Sequence, residues 1–261
     1  MRWCVLLLCW GCCIIAPAFG QNLPAPPDTS DFTAWGSVAM NWRPCKSVKL
    51  GVEEQWRIKD NFSSFDRQFH QFTLGFSPRW NEVSKAQSLG VGFRHMTRVD
   101  DTGDNQGLER FIRWHAQHEL DLDLGRWNVQ TRFRFQRRRA IWLKDGKDPG
   151  EEGTKDVWRL KVELAHNFRD WKADPEFSVE RFWTTVPEGW PVDGHWRIRL
   201  GTGLKVGKRQ RMKAFVQRQW RPRYLPSGVG ATLEDFRLWG EERWTLGIAY
   251  RYNLKTRKKG D

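Results

Sequence analysis

The chain has 261 residues, 44 of them Lys or Arg against 31 Asp or Glu, and a mean hydropathy of −0.71. That balance excludes a helical membrane protein, and the length allows one large domain or two small ones. It leaves open a membrane barrel, in which only alternate residues meet lipid and the lumen is polar.

Residues 1–20 read as a secretory signal peptide. Arg2 supplies the positive start, 5–15 the apolar core, and Ala18, Phe19 and Gly20 the small-residue site for cleavage before Gln21. The apolar run is short of the ~18 residues that a spanning helix needs. Cleavage removes Cys4, Cys9, Cys12 and Cys13 and leaves Cys45 alone, so neither an intramolecular disulfide nor a cysteine metal site is expected. Residues 21–31 are Pro-rich and polar, a flexible lead-in. No later stretch reaches the length of a spanning helix, so any membrane entry must be as a closed barrel.

From Phe32 onwards, period-two alternation dominates. It is weak over 32–42. It is clear where Val48, Leu50, Val52, Trp56 and Ile58 oppose Lys49, Gly51, Glu53, Gln55 and Arg57. Weaker versions follow over 65–76, 89–97 and 108–120. The cleanest is 127–138, where Trp127, Val129, Thr131, Phe133 and Phe135 face one way and Asn128, Gln130, Arg132, Arg134, Gln136 and Arg138 the other. A helix would mix these two sets around its circumference, whereas a strand separates them. Further segments cover 158–164, 177–185, 196–206, 212–220 and 244–254. Each is about ten residues, the span of a tilted membrane strand.

The expected fold is therefore all-β, an antiparallel up-and-down transmembrane β-barrel of ten to twelve strands over 32–254, followed by a basic tail, 255–261. Eleven segments are visible, but bacterial single-chain barrels carry an even number. Ten results if 32–42 is not a full strand, and twelve if 222–242 hides another. Tight connections at 124–126 and 207–210 opposite long ones at 140–154 and 222–242 suit short periplasmic turns and longer outer loops. Trp42, Trp56, Trp127, Trp158, Trp196, Trp220 and Trp244 fall near segment ends, as an interfacial girdle requires. The competing fold is a soluble secreted β-sandwich or lipocalin-like barrel with its apolar face inward.

The last segment resembles the outer-membrane assembly signal through Thr245, Gly247, Tyr250 and Tyr252, although Asn253, Leu254 and the tail follow instead of a terminal aromatic. The mature chain resembles the domain of unknown function 2490 family of outer-membrane barrels. The resemblance rests on Trp35, the run Leu50-Gly51-Val52-Glu53-Glu54-Gln55-Trp56-Arg57, Gly92-Phe93-Arg94, and 109–121. It continues through Arg132 to Arg134, Val179-Glu180-Arg181-Phe182, Arg197-Ile198-Arg199-Leu200-Gly201 and the last segment. It implies the fold and an outer-membrane location after cleavage near Gly20, and no particular activity.

One side of the alternation gathers the lumen candidates: Glu53, Arg57, Arg94, Glu109, Arg113, His115, Arg132, Arg134, Glu163, Glu180, Arg197 and Arg199, with Glu119, Arg159, Lys161 and Lys205 beside them. The leading expectation is a structural barrel or narrow pore filled by Arg–Glu pairs, with Arg132 and Arg134 beside Glu119 and Glu163. An anion-preferring pore, or a site gripping phosphates or carboxylates by paired guanidinium contacts, is the functional alternative.

No cofactor is expected. His115 and His118 point to opposite faces, and His70, His95, His166 and His195 lie on separate segments, so no metal site is expected either. A lipid-modifying hydrolase would need Ser178 to meet a lumen histidine and Asn128, without a supporting motif. Nucleic acid is not an expected partner, because basic residues alternate along strands and interleave with Glu. The partners that do follow are outer-membrane lipid and the barrel-assembly machinery, through the last strand; oligomeric state stays open. Arg137, Arg138 and Arg139 with Lys144 and Lys147 form a basic patch for lipid A or other surface phosphates, or else an ordinary solvated strand end.

Overall fold

A computed structural model describes residues 31–78, 86–100, 106–143, 154–168, 173–185, 193–225 and 237–254. The expected signal peptide, nearly all of the expected lead-in and the basic tail lie outside the described residues, as do Lys144 and Lys147. Eleven strands follow one another: β1 Asp31–Trp42, β2 Val48–Lys59, β3 Ser64–Phe76, β4 Gln87–Asp100, β5 Gly107–Leu124, β6 Trp127–Trp142, β7 Thr154–His166, β8 Ala173–Thr185, β9 Asp193–Gly207, β10 Gln210–Leu225 and β11 Arg237–Asn253. Each pairs with its chain neighbours, and β1 pairs with β11, so the sheet closes into a barrel. It is one closed sheet and not two packed ones, which sets aside the sandwich.

The even strand count does not hold. The segment 32–42 is a full strand that pairs over its length with both β2 and β11, despite the weak alternation left by Ala34, Gly36, Ser37 and Ala39. Nor, among its described residues, does 222–242 hold a further strand. β10 and β11 run on into it, paired from Arg221↔Glu241 to Leu225↔Arg237, which leaves only 226–236 as connection. In an up-and-down wall each strand reverses the last, so an odd number leaves first and last pointing the same way. The closing pair β1–β11 is accordingly parallel, and every other pair is antiparallel. Buried at that seam, the Thr33 and Thr245 hydroxyls share a 2.8 Å hydrogen bond.

Connections at one rim are 43–47, 77–86, 125–126, 167–172 and 208–209; at the other they are 60–63, 101–106, 143–153, 186–192 and 226–236. The two-residue turn after β5 uses Gly125 at φ 72°, in the left-handed region that glycine enters without a Cβ clash. The strands, at 12 to 18 residues, outrun the expected ten. They extend past the point where the apolar alternation stops, as at Arg137 and Arg139 in β6.

Apolar residues occupy the outward positions, where Leu200 is 61% and Ile248 58% exposed. Buried apolar side chains inside are few, chiefly Phe69, Met96, Phe111 and Ala140. One inward aromatic requires a glycine beneath it: a Cβ on Gly247 would overlap the Phe215 ring, which also meets Trp35 edge-on at 5.9 Å. Gly247→Ala should therefore lower stability by about 1–3 kcal/mol, the usual cost of overpacking, as read from urea unfolding. A variant as stable as the parent would show that the ring moves freely.

Candidate functional site: the lumen

Strand alternation sends every second side chain into the barrel. The inward set encloses a cavity of about 830 Å³, lined from Lys49 and Arg251 near one rim to Lys59, Lys155 and Arg243 near the other. Of the sequence candidates, Glu53, Arg57, Arg94, Arg113, Arg132, Arg134, Glu163, Arg197 and Arg199 line it directly. The other three are buried against the wall. Glu109 lies under Arg98, with Oε2 2.6 Å from Nη2; Glu180 lies under three arginines; and the His115 ring sits where a Cβ on Gly92 would be.

Glu180 is the electrostatic centre of one wall. It is 3% exposed and receives Arg159 Nη2 at 2.5 Å, Arg197 Nη1 at 3.0 Å and Arg132 Nη2 at 3.5 Å. Below these guanidiniums the Phe182 ring is covered by Arg159 at 4.6 Å and Arg197 at 4.7 Å, and it stacks on His195 at 3.9 Å. Cations over ring faces are stabilised by the ring quadrupole, so these arginines are held in place partly without counter-charge.

Elsewhere the expected Arg–Glu pairing is replaced. Arg134 donates to the Gln117 side-chain oxygen; Glu119 stands two residues along from Gln117, and Glu163 faces Gln130, four residues from Arg134. Arg132 faces Glu119 across the β5–β6 pair, yet its ion pair is with Glu180 two strands away. Glu163 is taken by Lys161 and, at 3.8 Å, by Lys213, while Glu119 accepts from Gln117 and Ser88. The same exchange recurs around the barrel. Arg94 Nε donates to Gln71 at 2.7 Å, Arg199 Nη2 to Gln217 at 2.8 Å and Arg57 Nη2 to Gln55 at 3.3 Å, while Arg197, already paired with Glu180, adds Gln219 at 2.9 Å. Arg57 also lies 3.7 Å over Trp35, and Arg199 4.1 Å over Phe215.

A glutamine oxygen orients a guanidinium but leaves its charge unneutralised. Among the cavity-lining residues, cations outnumber carboxylates by more than two to one. Buried nitrogens remain without an acceptor among the described residues, including Nε of Arg57, Arg134 and Arg197. The arrangement is a set of donor forks, fixed by amides and aromatic rings, around a space that favours negative charge.

The remaining candidates divide. Thr245 and Gly247 point inward, with the seam and packing roles already described, while Tyr250 and Tyr252 fall on the outward alternation with Ile248. Ser178, Asn128 and a histidine do not meet. Ser178 lies between Glu163 and Arg199 in register, the Asn128 amide donates to Asp121 and Asp123, and His195 is stacked on Phe182. A contact the sequence reading missed is on the outer wall, where His70 and His95 stack at 6.0 Å and His70 Nδ1 meets the Glu54 carboxylate. Nothing in the spacing of three residues on three strands announces it; strand register alone brings them together.

A family described as Protein of unknown function (DUF2490) matches residues 32–224. No curated protein matches the chain. Among solved structures, the anion-selective porin from Comamonas acidovorans is similar at 8% identity and a TM-score of 0.33, over 78% of this chain and 53% of the porin. The chain thus spans about half of the porin's length.

Proposed function

The chain belongs to the DUF2490 family of proteins of unknown function, and from that premise we propose that it is an outer-membrane barrel whose narrow lumen admits small anions in preference to cations. The observation that carries this reading is the partnering of Arg57, Arg94, Arg134 and Arg199 by glutamine oxygens and aromatic rings, which holds the guanidiniums still and leaves their charge for an ion in the lumen. The N-terminal export pattern, the outward apolar band and the exposed tryptophans at the ends of strands support membrane residence. The last strand, with Tyr250 and Tyr252 outward, is the part offered to the assembly machinery. Fractionation that leaves the protein soluble in the periplasm would sink the location.

Planar-bilayer recording tests the lumen. In a salt gradient the wild type should give a reversal potential of anion sign. Arg134→Ala removes a guanidinium held by Gln117, so it strands no carboxylate. The variant should lose no more than about 1–2 kcal/mol, the worth of a hydrogen bond and some packing, while its anion preference falls. Cation selectivity in the wild type, or a preference unmoved by Arg134→Ala and Arg113→Ala together, contradicts the reading.

A further inference from the structure

The outer wall is chemically different at its two rims. Near the rim with connections 125–126 and 208–209, the outward strand positions carry residues such as Trp42, Phe76, Leu122, Trp127, His166 and Val206. Toward the other rim stand, among the described residues, five outward arginines: Arg110, Arg137, Arg139, Arg181 and Arg218. Three of them are occupied. Arg137 makes a two-pronged contact with Asp156 at 2.8 and 2.6 Å, Arg218 does the same with Glu242 at 2.6 and 2.9 Å, and Arg181 lies 4.8 Å over the Trp196 ring.

Arg110 and Arg139 are not. Both are exposed, and among the described residues neither has a carboxylate partner. They stand on adjacent strands: Arg139 is opposite Ile112, and Arg110, two residues along from Ile112, is opposite Trp142 beyond a β-bulge. That diagonal lets two long side chains converge on one group. His95 and Thr97 flank them on β4, opposite Ile112 and Arg110. Among the described residues, the outward carboxylates nearest the pair are already engaged: Glu54 by His70 and by Gln68 at 2.6 Å, and Asp156 by Arg137. Exposed Trp114 and Trp142 border the patch, and the apolar wall begins beneath it.

We propose that Arg110 and Arg139 clasp the phosphate of a phosphorylated lipid headgroup in the leaflet at this rim. Guanidinium forks match phosphate oxygens in pairs, which an ammonium does not. The patch faces sideways over an apolar band rather than into the lumen, so a phosphate carried on acyl chains satisfies both surfaces, and a free phosphate only one. Of the basic run 137–139, the clasp uses Arg139 alone: Arg138 lines the lumen and Arg137 is spent on Asp156.

The site rests on membrane residence but not on the lumen's ion preference. The test uses the full chain in phosphatidylcholine nanodiscs doped with bisphosphorylated lipid A or its dephosphorylated form, with bound lipid read by native mass spectrometry. The wild type should retain the phosphorylated lipid about tenfold over the dephosphorylated one, and Arg110→Gln with Arg139→Gln should abolish the difference. Arg110→Lys with Arg139→Lys should keep a part of it. If the double glutamine variant fails to fold, each single variant should show an intermediate loss. Unchanged retention in the glutamine variants overturns the site, and so does equal displacement of the lipid by inorganic phosphate. A chain that does not insert at all overturns the membrane reading first, a result plainly different from insertion without discrimination.

Discussion

Replacing Glu180 with Ala should cost about 3–5 kcal/mol of stability, the range seen when one partner of a buried charge cluster is removed and the others are left uncompensated. Three guanidiniums converge on this carboxylate from β6, β7 and β9, so its loss leaves Arg132, Arg159 and Arg197 repelling one another in one pocket. Glu180→Gln retains an acceptor oxygen and loses only the charge, and its cost should be smaller, about 1–3 kcal/mol. Urea unfolding, followed by the mobility difference between folded and heated barrel, measures both. If Glu180→Ala unfolds at the wild-type midpoint, the three arginines are not organised by this residue. The contrast with Arg134 is part of the expectation: removing the shared anion is expensive, and removing one amide-held cation is cheap.

Phe133→Arg should cost about 2–4 kcal/mol in a bilayer, the cost of placing a guanidinium on the lipid side of a barrel near its midplane. Phe133 lies within the apolar outward run 127–135 of β6, is 45% exposed and stacks on Trp158 at 5.4 Å. Leu200→Arg, on the far more exposed outward position of β9, should behave alike. The measurement is the fraction folded in phosphatidylcholine vesicles across a urea titration. A cost under about 0.5 kcal/mol, typical of a solvated surface position, would mean that water and not lipid bathes this wall.

The sidedness of this barrel is legible residue by residue, because period two is a property of the backbone. Arg57, Arg94, Arg132 and Arg199 are inward for the same reason that Val52, Phe133 and Leu200 are outward. The partners of those arginines are not legible. Arg132 is in register with Glu119, and simple pairing would join them; its ion pair is with Glu180 because the side chain's reach inside a closed wall depends on how strands are staggered. Gln71, Gln117 and Gln217 look like filler in the alternation, yet they take the place expected of glutamates. The eleven strands were visible as eleven segments, and only the preference for an even number failed. Evenness is a habit of bacterial barrels and no requirement of hydrogen bonding, since a parallel seam satisfies the backbone as completely as an antiparallel one.

That seam fixes where the two ends of the wall emerge. β1 enters beside the connection 60–63, and β11 leaves beside 208–209, at the opposite rim. In a barrel with an even number of crossings, a protease added to one side of the bilayer meets whatever flanks the barrel at both ends, or at neither. If this barrel crosses a bilayer as proposed, a cleavage site ahead of Asp31 and another after Leu254 belong to different compartments. One would then be carried across the membrane as the barrel closes, and each would report on a side that the other never sees.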